Sequence, residues 1–217
     1  AGYDASLMPT LPYTATGDKS IVKTISVPAG DSGCSGGADP CLAAASVLTV
    51  LSTQPPNQGS NIFRPAYYGS TKRLFTTDQL DTSKLPSLAS VANAPTLAQV
   101  TTRFQHVQLD DQENYTSRNL HPQTSFFNMK TPSIFSDYGS DLTNDNTEAA
   151  LRLMLNDSVS AKMPALINYI QAGIDWYGIK KGGMNWYASG GHQQGRKLPI
   201  AFAAVLLNDT DMKAVVQ

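Results

Sequence analysis

The chain has 217 residues, enough for one large domain or two small ones around a substantial core. Hydrophobic residues make up 41% and charged ones only 15%, below the roughly 25% usual in soluble domains, a balance that suits an extracellular or periplasmic protein. A formal net charge of -1 without any basic run leaves no electrostatic footprint for nucleic acid or an anionic membrane. No apolar stretch approaches the roughly 20 residues that span a bilayer.

Residues 1–20 are rich in Pro, Thr, Gly and Ala and read as an extended arm. The start at Ala1 is compatible with removal of a leader peptide and equally with an arbitrary boundary. Residues 21–27 alternate well enough for a strand. A glycine-rich loop follows, in which Cys34 and Cys41 flank Gly36, Gly37 and Pro40. In an exported protein these two thiols are expected to pair; the alternative is two free thiols, with Cys41 buried in a helix. Asp39 and Pro40 offer an N-cap and a first-turn proline, so residues 41–51 are expected to be helical, although Val47, Thr49 and Val50 favour a strand. Residues 54–88 are loop-like and punctuated by prolines and glycines. Within them Arg64, Pro65, Ala66, Tyr67 and Tyr68 are either lining for a cleft or aromatic anchors that pin the loop to the core.

A helix is predicted over 96–109, with Leu97, Val100, Phe104 and Val107 on one face and His106 on the opposite, exposed side. After a polar, irregular stretch another helix opens at Asp145, whose carboxylate caps while Glu148 reaches back. The most informative stretch is 163–207. Ile167, Ile170, Ile174 and Tyr177 fall at steps of three and four, the spacing of a buried helical stripe. Asn168, Gln171 and Asp175 form a polar stripe beside it. Lys180 and Lys181 suit the carbonyl end of the helix, and Gly182 is expected to supply its left-handed stop. Pro199 fits the first turn of the next helix, which has no polar face and should be enclosed. The predicted class is therefore mainly α, with an irregular, partly β N-terminal half. Residues 1–95 form an arm, strand and long-loop region packed on the helices, and 96–217 a helical region, the two making one continuous domain or a fragment of a larger one.

The connector between the last two long helices concentrates reactive groups: Asn185, Trp186, Tyr187, His192, Gln193, Gln194, Arg196 and Lys197. Trp and Tyr present flat apolar faces with polar edges, on which a sugar ring stacks. His192 can act as a base near neutral pH, and Arg196 can grip a carboxylate. The bland alternative is that the glycines make turns, Trp186 and Tyr187 plug the end of the hairpin, and Arg196 caps a helix. Gly190 and Gly195 have phosphate-loop spacing, but Arg196, Lys197 and Leu198 stand where such a loop needs Lys and Ser or Thr. Acidic clusters at Asp110, Asp111 and Glu113 and at Asp137, Asp141 and Asp145 lack the ligand order of an EF-hand. Calcium is thus a weak candidate, no other cofactor is expected, and the three histidines make no zinc site.

The run INYIQAGIDWYG (residues 167–178) followed by GGHQQGRKLPIAFAAVLL (190–207) resembles consecutive helices of bacterial secreted helical-toroid proteins related to polysaccharide lyases of the heparinase and alginate lyase type. The resemblance covers about a quarter of the chain and is one of hairpin pattern. It implies helical hairpins forming part of an α/α toroid, a uronate-containing polysaccharide as substrate, and cleavage by β-elimination. By residue type it implies His192 and Tyr187 as acid and base, with Arg196, Asn168 and Gln171 neutralising the carboxylate. It also implies Trp176 and Trp186 as stacking platforms; Asp175 of the polar stripe and Asn185 of the connector complete the candidate substrate-binding set. About five predicted helices cannot close a ring of about a dozen, so either the chain is part of a longer enzyme, or a second chain or further copy completes the layer, or the ring does not apply. The rival expectation is a non-catalytic extracellular module that binds glycan or self-assembles.

Overall fold

The computed structural model describes residues 8–26, 42–107, 109, 139–183, 185–186 and 195–217. Among these the architecture is mainly α: helices α1 (Leu97–Phe104), α2 (Gly139–Leu153), α3 (Val159–Lys181), α4 (Lys197–Leu206) and α5 (Thr210–Val215) surround one core. Two small antiparallel ladders precede them, β1 (Lys19–Ser26) with β2 (Leu42–Val50), and β3 (Ile62–Phe63) with β4 (Phe75–Thr76).

Helix α3 is the axis. Twelve of its residues are buried, among them Leu166, Tyr169, Ile170, Ile174, Trp176 and Ile179, so its apolar surface extends well beyond one stripe and α3 is wrapped by neighbours. Ser158 caps it, accepting a hydrogen bond from the Ala161 N–H at 3.2 Å. Tyr169 ties four helices together. Its ring meets Phe104 of α1 and Phe202 of α4 edge to face, with centroids 4.9 and 5.1 Å apart, a preferred aromatic geometry. Its hydroxyl donates to the Asn146 carbonyl of α2 at 2.8 Å. Gly173 lets α3 and α4 approach closely, since a methyl group there would overlap the Pro199 carbonyl oxygen and crowd Ala203. The contacts Tyr169–Phe202 and Gly173–Pro199 run in opposite chain directions, so α3 and α4 form an antiparallel hairpin. Enclosure of α4 is nearly complete; Val205 remains 47% exposed.

Several local expectations are corrected. Residues 42–50 form a strand, not a helix, because β1 supplies a partner: Ile21 pairs with Leu48, Val22 with Val47 and Lys23 with Ser46. Cross-strand packing of β-branched residues outweighs the helical preference of three alanines. The ribbon's base is closed by Asp18, whose carboxylate accepts from both the backbone N–H and the hydroxyl of Ser52 at 2.7 and 2.9 Å. Asp145 does not open a helix. It lies in the second turn of α2, fully buried and paired with Arg103. Gly182 ends α3 with φ -74°, and the left-handed residue is Gly183, at φ 101°. Helix α1 stops at Phe104, short of the predicted 109, while Thr96 and Gln99 form its capping box. His106 is exposed as expected. Cys34 and Cys41 lie outside the described residues.

Candidate functional site

The polar stripe of α3 is spent on holding the chain's own loop. Gln171 Nε2 donates to the Arg64 carbonyl at 2.9 Å, and Asp175 accepts from the Arg64 guanidinium and, at 3.4 Å, from the Tyr67 N–H. Asn168 Nδ2 donates to the Thr101 carbonyl of α1 at 3.0 Å. Full burial pushes the Asp175 carboxyl above its ordinary value, although Arg64, the Tyr67 N–H and Gln171 all pull it down. These three residues, expected to contact substrate, instead fasten residues 64–67 and α1 to the central helix.

From the other side Lys72 completes the clamp. Its ammonium is buried and donates to the carbonyls of Ala66, Tyr67 and Gly69 at 2.9, 3.1 and 2.8 Å. Burial pulls its pKa below the usual lysine value. The loop thus follows α3 toward its C-terminal end, where Ala66 sits against Gly178 and the Tyr68 ring against Gly182. A methyl group at either glycine would overlap those groups.

Between loop, helix and α5 this packing leaves an open hollow of about 290 Å³, lined by Ala66, Tyr68, Ser70, Thr71, Arg73, Phe75, Tyr177, Lys181, Gly182 and Asp211 among others. That is near the lower end of small-ligand pockets, about 300 Å³. Tyr68 is 38% exposed and offers its ring to the hollow. Arg73 is fixed on three sides: 4.8 Å above the Phe75 ring, paired with Asp209, and 3.2 Å from Asp211. Such a planar cation held over an aromatic face is pre-organised for hydrogen bonding. Burial, with Asp211 and Asp209 adding to it, pushes the Tyr177 hydroxyl above its usual value despite Arg73. Lys181 has no ion-pair partner among the described residues. The hollow therefore combines a flat apolar face, hydroxyl groups and a cation that is unpaired among the described residues.

A second polar group lies beneath the base of the connector. Arg103 and Asp145 form an ion pair with side chains 5% and 0% exposed, and Asn146 Nδ2 donates to the Gly195 carbonyl at 2.7 Å. Burial raises the Glu148 carboxyl, and the Asp145 charge raises it further. Breaking a buried pair of this kind costs about 3–5 kcal/mol, so it anchors α1 and α2 firmly.

Of the acid-base set, Tyr187 and His192 lie outside the described residues. Arg196 is 4% exposed at the start of α4, so it presents almost no surface to a solvent-borne carboxylate. Trp176 has no exposed surface and belongs to the core rather than to a stacking platform, its indole N–H without a hydrogen-bond partner among the described residues. Trp186 is half-buried against the same core, and among the described residues its N–H likewise has no partner. Asn185 is exposed and accepts from Lys180. Among the described residues no group of three or more His, Cys, Asp or Glu could hold a metal ion. Asp110, Asp111, Glu113 and Asp137 lie outside them, and the side chain of Asp141 is not described.

The sequence pointed to residues 64–68 as a possible cleft wall but not to Arg73, Tyr177 or Lys181. Tyr177 reads as core and Lys181 as a helix-dipole partner, and nothing in the spacing of Arg73 links it to α5. No family model matches the chain, and neither a curated protein nor a solved structure is significantly similar to it. Among the described residues no helix is long and apolar enough to cross a membrane.

Proposed function

We propose that the protein is a secreted or periplasmic carbohydrate-active protein whose hollow at the end of α3 binds an acidic polysaccharide, a uronate polymer being the substrate class. The observation that carries this reading is the half-exposed Tyr68 ring beside the fixed Arg73 guanidinium and the Lys181 ammonium, which is unpaired among the described residues. A sugar ring would stack on the tyrosine, and its carboxylate would face the lysine. The antiparallel α3–α4 hairpin is the unit that an α/α toroid repeats, which agrees with the lyase resemblance.

In β-elimination a base removes the proton beside the uronate carboxylate, the bond to the glycosidic oxygen breaks, and that oxygen takes a proton, leaving an unsaturated sugar. Tyr187 and His192 are the proposed acid-base pair, and the protonated Tyr177 is a donor to bound sugar. Ultraviolet absorbance of the unsaturated product on a panel of uronate polymers tests this reading. Product formation that is lost in His192→Ala supports it, and binding without product removes the lyase chemistry. A second reading, a non-catalytic glycan-binding or self-assembling module, is favoured by the lining itself: its carboxylate, Asp211, is engaged by Arg73, which leaves a poor base.

A further inference from the structure

The loop that walls the Tyr68 hollow also walls another. Residues 64–69 border both: Ala66 and Tyr68 line the first, whereas Arg64 and Pro65 line a larger hollow of about 430 Å³ against the end of β2. Along the chain the lining passes from one hollow to the other between Pro65 and Ala66. The second is lined by Thr49, Thr53, Gln54, Pro55, Pro65 and Arg64 among others, without an acidic residue among its described lining. The Arg64 guanidinium is held by Asp175 and donates to the Pro65 carbonyl at 3.0 Å, yet its side chain remains 20% exposed. Hydroxyl and amide groups, apolar proline rings and a fixed cation can together receive an acidic sugar through hydrogen bonds and charge.

We infer that the two hollows are neighbouring subsites for one linear acidic glycan that crosses residues 64–69, so that the protein reads an oligosaccharide rather than a single sugar. This rests on the glycan reading above and adds the length of the ligand to it. Both walls share the same supports: Lys72, Gln171 and Asp175 hydrogen-bond the backbone of this loop. A chain bound across both would gain the effective concentration that tethering gives a second contact.

The test is calorimetric titration with galacturonate oligomers of defined length, a disaccharide and a hexasaccharide. Thr53 and Gln54 are exposed and outside the Tyr68 hollow, so Thr53→Trp, which fills the second hollow, and Gln54→Ala should fold normally. Thr53→Trp is expected to weaken hexasaccharide binding about tenfold and to leave disaccharide binding unchanged, with a smaller loss in the same direction for Gln54→Ala. Tyr68→Ala should weaken both ligands. Hexasaccharide affinity that survives both changes while Tyr68→Ala abolishes it would overturn the extended site and leave the glycan reading intact. Equal losses for both lengths would also overturn it. No binding of either oligomer by the unaltered protein would remove both.

Discussion

Lys72→Met removes the ammonium that gathers the carbonyls of Ala66, Tyr67 and Gly69 while keeping a side chain of similar length. Hydrogen bonds from a charged donor contribute about 1.5–3 kcal/mol each, but the ammonium's own burial offsets part of that sum. The bonds to Ala66 and Gly69 are only partly buried, so water can replace Nζ there. The bond to the Tyr67 carbonyl is buried, so water does not readily replace Nζ there. Loss of that one charged hydrogen bond costs about 1.5–3 kcal/mol, and with weakened pinning of the other two the net loss should be about 2–3 kcal/mol. Urea unfolding with linear extrapolation measures it. Because Tyr68 and Gly69 lie within the gathered loop, uronate affinity should fall in the folded variant as well. A Lys72→Met protein with unaltered stability and affinity would refute the claim that this lysine shapes the wall of the hollow.

Gly173→Ala forces a methyl group onto the Pro199 carbonyl, a backbone atom that cannot swing away, and should destabilise by about 1–3 kcal/mol in the same unfolding assay. Gly182→Ala overlaps the Tyr68 ring, a side chain that can turn aside, while the Gly178 carbonyl lies at ordinary contact distance, and the φ of -74° at Gly182 suits any residue. It should therefore displace the ring and reduce uronate affinity in calorimetry while leaving the urea midpoint nearly unchanged. Arg152 holds the Asp157 carboxyl below its ordinary value of 3.8. Its contribution to stability is thus present above pH 3.8 and is lost as pH falls through the lowered folded value. Asp157→Asn should be less stable than the unaltered protein at neutral pH, with the gap closing in acid, as followed by thermal unfolding across pH.

The helical half was largely legible because its signals are local. The period of residues 167–177 marked α3, and Pro199 and the wholly apolar run after it marked α4. What failed depended on distant partners. Residues 42–50 became a strand only because residues 19–26 lie beside them. Asp145 resembled a cap because its true partner, Arg103, is 42 positions away. The polar stripe of Asn168, Gln171 and Asp175 was correctly placed on one face, yet its use was not visible: a buried carboxylate and a substrate ligand look alike until the loop bearing Arg64 is laid against it. Trp176 illustrates the converse, an aromatic that suits stacking by type but is sealed by its position on an enclosed helix. Residues 64–68 were the most useful hint, since a proline-bounded pair of tyrosines in a long loop needs something to rest on.

Hydrogen-exchange protection on adding a uronate polymer tests the central claim most directly, because it locates the ligand without assuming turnover. Slower exchange is predicted for the amides of residues 66–73 and 178–183, with residues 53–59 joining them for long oligomers. Unchanged exchange in those segments, or protection confined to other parts of the described chain, would contradict the assignment of the α3 end as the glycan site.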